Sequence, residues 1–137
     1  MTPRAPNRTT PCTREQAGQR LRQAEAFLGW ARAALADERD QVNLGVATSL
    51  AILAGVAATE ALCGSSMGYY SRGQNHADAA NLVRSIEPGG AALASTFRQL
   101  VACKEDTGQA PKALLESSAK AALRQAGDLV SAAKTNH

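Results

Sequence analysis

The polar side chains of this chain concentrate in one stretch, residues 66–83, which reads SMGYYSRGQNHADAANLV. Arg72 lies four residues before His76, and His76 would begin a helix. Backbone N–H groups at a helix start favour anions and disfavour a protonated ring, so Arg72 would hold an anionic group beside a neutral imidazole base. The alternative is structural, because Asn75 and Asp78 suit helix capping and His76 would then pack beneath the loop.

A single carboxylate, Glu60, interrupts the longest apolar segment of the chain. A buried carboxylate needs a partner, and we expect that partner to be Arg72 or His76. Tyr70, which follows a second tyrosine, would contact the core or the loop, or stack on a base. Our candidate polar or anion-binding site consists of Glu60, Tyr70, Arg72 and His76.

Positive charge concentrates at the N-terminus. Residues 1–22 contain five arginines and one glutamate, a net charge of +4, whereas the whole chain of 137 residues carries +3. A basic segment with several prolines binds phosphate backbones weakly and with strong salt dependence, or it only keeps the protein soluble. We expect a disordered arm over residues 1–12. Its candidate nucleic-acid contacts are Arg4, Arg8 and, just beyond it, Arg14.

The apolar segment at residues 42–63 meets the minimum length of a membrane span. Polar residues such as Asn43 and Thr48 dilute it, and neither an aromatic belt nor a basic flank follows. A central helix contacted on several sides has the same composition. We therefore expect a buried helix and no association with membranes.

Other chemistry has little basis in the sequence. Cys12, Cys63 and Cys103 show no metal-binding spacing, and dispersed carboxylates accompany one internal histidine. The sequence contains no glycine-rich phosphate loop, no H-E-x-x-H motif and no serine nucleophile elbow. We predict no metal, no cofactor and no catalytic residue. The odd number of thiols and the polar opening residues indicate a cytoplasmic protein.

The first two helices follow from apolar spacing. Thr13 and Gln16 form a capping-box pattern at the start of helix one, where Trp30 would widen the apolar face. Helix two would cover residues 40–63 and end at Gly64, in a left-handed conformation.

Three further helices complete the predicted fold. Asn75 would cap a short helix three, and helices four and five would cover residues 91–104 and 112–133. No segment alternates with period two for long enough to predict a strand. The expectation is one all-α domain over residues 13–137, an antiparallel up-and-down four-helix bundle with an extra short helix and a disordered N-terminal arm.

The order of these elements resembles that of the HEPN superfamily of small bacterial helical bundles. An amphipathic first helix with an acidic end is followed by the Ala-rich segment NLGVATSLAILAGVAATEALC and by GQNHADAANLV. LVACKEDTG then precedes the closing helix LLESSAKAALRQAGDLVSAA, so the resemblance covers roughly residues 16–133. The chain looks like small actinobacterial members with GQ-x-H after the second helix.

The resemblance implies a dimeric bundle and, in many members, a metal-independent ribonuclease with an R-x(4–6)-H motif near the last long helix. The corresponding segment here, KEDTGQAPKALL, has Lys104 in place of the arginine and no histidine. The spacing from Arg72 to His76 is one residue too short, and the pair precedes a different helix. This departure argues against that nuclease mechanism.

We therefore expect a non-catalytic HEPN-like binding or assembly module, acting as a homodimer. Its partner would be nucleic acid, a nucleotide, or a protein encoded by a neighbouring gene. One alternative is a toxin-like ribonuclease in which His76 is the base and Arg72 holds the phosphate. Another is a structural protein that binds its partner through the apolar second helix.

Overall fold

The computed structural model describes residues 8–37, 41–72, 75–103 and 111–137. Most of these residues are helical, so the predicted all-α class is confirmed. In chain order the elements are β1 (Thr9–Pro11), α1 (Arg14–Ala36), α2 (Gln41–Met67), β2 (Tyr69–Ser71), α3 (His76–Arg84), α4 (Gly90–Ala102) and α5 (Lys112–Asn136).

The start of α1 confirms the predicted capping box. The Thr13 hydroxyl accepts a hydrogen bond from the Gln16 N–H at 3.1 Å, and the Gln16 side-chain oxygen accepts one from the Thr13 N–H at 2.9 Å. The buried residues of α1 recur three and four apart, as an amphipathic helix requires. Trp30 lies outside that stripe and is 69% exposed, so its predicted place on the apolar face was wrong.

Helix α2 is the central element of the fold, and its most extensive contacts are with α1 and α5. By length and composition it is apolar enough to cross a membrane, with a mean hydropathy of 1.8 over its most apolar window. However, 67% of that window is buried inside the protein, as in the core helix of a soluble protein. Alanines such as Ala47, Ala54 and Ala58 are almost fully buried, and their small side chains let neighbouring helices approach closely.

The end of α2 differs from the prediction, because the helix continues past Gly64 to Met67. Gly64 is required there for close approach, since a Cβ at this position would lie 2.5 Å from the Cys12 Sγ. The left-handed residue that follows the helix is Gly68, with φ +80°.

Residues 9–11 form a strand, so the predicted disordered arm was wrong for this part, as was the absence of strands. β1 pairs with β2 in antiparallel register, with Thr10 opposite Tyr70. Beyond the ladder, the Cys12 N–H donates to the Gly68 carbonyl oxygen at 2.8 Å, and Cys12 is buried. Residues 1–7, which include Arg4, lie outside the described residues.

The remaining helices begin close to their predicted positions. The Asn75 side-chain oxygen accepts a hydrogen bond from the Ala77 N–H at 2.9 Å, which confirms the predicted cap of α3. Helix α5 extends three residues beyond its predicted end at Ala133. His137 then contacts α2, where its Nδ1 lies 3.1 Å from the Ser65 Oγ. Lys104 lies outside the described residues.

Candidate functional site

A cavity of about 390 Å³ lies between α2, β2, α3 and α4. Its apolar walls are formed by Ile52, Leu53, Val56, Cys63, Ala79 and Phe97. Its polar walls are formed by Thr59, Glu60, Tyr70, Ser71 and His76. The structure thus brings three of the four predicted site residues together, whereas Arg72 is exposed and is not among the lining residues.

The ion-pair partner of Glu60 among the described residues is Arg20 on α1, not the expected Arg72 or His76. The Arg20 Nε lies 3.2 Å from the Glu60 Oε2. The same guanidinium donates to the Tyr70 hydroxyl oxygen and to the Gln23 side-chain oxygen, both at 3.1 Å. One arginine therefore links α1, α2 and β2 around the edge of the cavity.

Burial governs the electrostatics of this network. Burial raises the pKa of the Glu60 carboxyl, and the positive charge of Arg20 offsets only part of this increase. For Arg20, burial favours deprotonation, but the hydrogen bond with Tyr70 and the charge of Glu60 outweigh it and raise the pKa further. Arg20 is therefore always charged, whereas Glu60 accepts a proton more readily than an exposed glutamate.

His76 is the first residue of α3, and its half-buried ring packs edge-on against Phe97. The ring centroids are 5.8 Å apart and the interplanar angle is 80°. This contact supports the structural role considered for His76, while the same side chain also contributes to the cavity wall.

A further polar atom at this wall is the Ser71 hydroxyl. The Ser71 Oγ is buried, and within the described part of the chain it has no hydrogen-bond partner. A buried hydroxyl without a partner costs free energy. A polar group that reached this hydroxyl from the cavity would remove that cost.

The arginines predicted to form a nucleic-acid tail occupy different places. Arg8 is exposed at the start of β1, and its carbonyl oxygen accepts a hydrogen bond from the Arg72 N–H at 2.9 Å. Arg14 is the first residue of α1, and its guanidinium donates to a main-chain oxygen of His137 at 2.8 Å. Arg8 and Arg72 are therefore neighbours across the strand pair, while Arg14 belongs to the helical body.

A second, polar cavity of about 420 Å³ lies between α1 and the strand pair. Its lining residues are Thr10, Pro11, Gln16, Gln19, Arg20, Gln23 and Tyr70. We call it the polar groove. No sequence pattern predicted this groove, although the spacing of its three glutamines, three and four residues apart, places them on one face of α1.

Neither the fold nor the site is assigned by similarity. No protein-family model, curated protein or solved structure matches the chain. Within the described residues, no group of three or more His, Cys, Asp or Glu side chains is placed to hold a metal ion. The class of protein that the fold and site define is an all-α protein with a mostly apolar cavity and an adjoining polar groove.

Proposed function

We propose that this chain is a non-catalytic binding module that takes a small ligand, with an apolar body, in the cavity between α2, β2, α3 and α4. The observation that supports this function is the composition and size of that cavity. Small-molecule sites usually measure about 300–1,000 Å³ and combine apolar walls with a few polar groups that fix orientation. At about 390 Å³, with polar groups from α2, β2 and α3, this cavity fits that description.

The polar side chains of the cavity wall are better suited to orienting a bound ligand than to catalysis. Arg20 already pairs with Glu60, and Tyr70 accepts a hydrogen bond from the same guanidinium. The Ser71 hydroxyl and the His76 ring remain to contact a polar group of the ligand. Phe97 and the aliphatic residues of α2 would contact its apolar body.

The finer architecture is also a proposal. We assign α1, α2, α4 and α5 to an up-and-down bundle with α3 across one end, and the extensive contacts of α2 with α1 and α5 support this. HEPN-like membership and a cytoplasmic location rest on the order of elements and on the composition. The exposed side chains of Val42 and Val46 on α2 support a contact face for a second copy or another protein.

The ribonuclease alternative has weaker support. It requires Arg72 to hold a phosphate beside His76, but His76 lines the cavity and Arg72 does not. We expect no metal-independent cleavage of RNA by the wild-type protein or by His76→Ala. Cleavage that disappears in His76→Ala would establish the ribonuclease instead.

The binding function is tested with N-phenyl-1-naphthylamine, an uncharged fluorophore that brightens in apolar sites. Ala79 lines the cavity, whereas Ala77 on the same helix is exposed, so the two positions form a matched pair. Ala79→Leu should weaken binding about 5- to 100-fold, because the larger side chain takes space that the fluorophore would occupy, and overfilling such a space costs about 1–3 kcal/mol. Ala77→Leu should bind like the wild type.

Circular dichroism establishes that both variants are folded. Wild-type protein that does not bind the fluorophore, or equal affinity in the two folded variants, would contradict the proposed function.

A further inference from the structure

The cavity and the polar groove adjoin each other at one residue. Tyr70 lines both, and the guanidinium that hydrogen-bonds its hydroxyl group belongs to the groove. Glu60, the ion-pair partner of that guanidinium, belongs to the cavity. The Arg20–Glu60 pair therefore lies between an apolar space and a polar one.

The polar groove favours a negatively charged group. Arg20 is the charged side chain among its described lining residues, and the rest are glutamines, Thr10, Pro11 and Tyr70. A guanidinium has five N–H donors, and the contacts with Glu60, Tyr70 and Gln23 use three of them. Within the described part of the chain two donors thus remain for an anion, and the Arg20 side chain is 38% exposed.

Two further features favour an anion in the groove. Glu60 lines the cavity and not the groove, so an anion entering the groove meets the guanidinium before the carboxylate. One of the groove residues, Gln16, also lies in the first turn of α1, where the helix dipole is positive. Gln16 and Gln19 can each donate a hydrogen bond from the side-chain amide.

We propose that the ligand is amphipathic, with its apolar body in the cavity and an anionic group in the polar groove at Arg20. This inference rests on the proposed function, because it specifies the ligand of the same cavity. Tyr70, shared by both spaces, would contact the ligand where its apolar body meets its anionic group. A nucleotide and an apolar carboxylate or sulfonate share this chemistry.

Two pairs of probes separate the anionic group from the body of the ligand. N-phenyl-1-naphthylamine and 1-anilinonaphthalene-8-sulfonate differ by a sulfonate, and adenosine and AMP differ by a phosphate. Binding to the full chain is measured by fluorescence for the first pair and by calorimetry for the second. We expect the anionic member of at least one pair to bind about tenfold more tightly, as a charge-assisted hydrogen bond provides.

The variant that tests the groove is Gln23→Glu. It keeps the shape of Gln23 and the contact with Arg20, but it places a negative charge beside the guanidinium. The preference for the anionic probe should disappear while the uncharged probe binds as before. The control Gln99→Glu makes the same charge change at an exposed position of α4 and should leave both affinities unchanged.

The outcomes separate this inference from the proposed function. If the uncharged fluorophore binds and responds to Ala79→Leu, but neither anionic probe is preferred, the ligand class is wrong and the cavity function stands. If the preference for the anionic probe persists in Gln23→Glu, the anionic group does not bind in the polar groove, and the inference is likewise wrong. If only AMP is preferred over its partner, the inference holds and the source of the anion is a nucleotide.

Discussion

The contact that joins α1 to the cavity is tested most directly by Arg20→Gln. The substitution removes the ion pair with Glu60, which has an Nε to Oε2 distance of 3.2 Å, and the charge-assisted hydrogen bond to Tyr70. It leaves the aliphatic part of the side chain largely in place. The carboxylate of Glu60 then remains partly buried without its cation.

The expected loss of stability follows from the burial of the pair. The side chains of Arg20 and Glu60 are 38% and 22% exposed, so the pair lies between a surface pair and a buried one. Breaking an exposed pair costs at most about 1 kcal/mol, and breaking a buried pair costs about 3–5 kcal/mol. We expect Arg20→Gln to lower the free energy of unfolding by about 2 kcal/mol, or the melting temperature by about 6 °C.

The effect should depend on pH in a defined direction. Burial raises the pKa of Glu60 above its ordinary value of 4.5 in the folded protein, and Arg20 partly opposes this. The folded state therefore binds a proton that the unfolded chain has lost, and ionisation of Glu60 reduces stability as pH rises through the folded pKa. Without Arg20 that pKa is higher still, so the variant loses more stability than the wild type over this range.

The assay is urea denaturation followed by circular dichroism at several pH values from 4 to 8. The control is Arg22→Gln, which removes the same charge from an exposed position of the same helix. The difference between the wild type and Arg20→Gln should be smallest near the acidic end and should widen as pH rises. A loss no larger than that of Arg22→Gln, or a difference that narrows with rising pH, would refute the assigned ion pair.

Two further predictions concern the packing of α2. Gly64→Ala should lower the free energy of unfolding by about 1–3 kcal/mol, because the added Cβ would lie 2.5 Å from the Cys12 Sγ. The control is Gly29→Ala, whose added Cβ meets open space. It should raise the free energy of unfolding by about 0.5–1 kcal/mol, because alanine favours the helix more than glycine does. Denaturation that ranks the two variants in the opposite order would contradict the close approach. Burial raises the pKa of Cys63 to about 12, so about one Cys63 thiol in 10,000 is ionised at pH 8. Ellman's reagent should therefore label half-buried Cys103 before Cys63. Mass spectrometry that finds the first label on Cys63 would contradict the burial of this thiol.

The helices could be predicted because their signals are local. Thr13 and Gln16 are three residues apart, and Asn75 precedes the helix that it caps, so each pattern is complete within one turn. The strands could not be predicted, because three residues are too few to show alternation. Their pairing also depends on a partner about 60 residues away along the chain.

The candidate site was predictable in part for the same reason. A carboxylate inside an apolar helix and a polar loop after that helix identify Glu60, Tyr70 and His76 as residues that need partners. The identity of the partner depends on how α1 and α2 are rotated against each other, and the spacing within α1 does not determine this. Arg20 therefore appeared only as one of several basic residues near the N-terminus.

The strand pair makes the N-terminal segment part of the site. A three-residue strand is not stable alone, so β2 holds its position through its contacts with α2 and through its pairing with β1, whose end is fixed by buried Cys12. β2 carries Tyr70, whose hydroxyl group holds the Arg20 guanidinium, which in turn pairs with Glu60 at the cavity wall. A change in residues 9–12 would therefore reach the cavity through this series of contacts. Among the described residues that precede α1, those of β1 therefore support the wall of the cavity, whereas Arg8 is exposed at the surface.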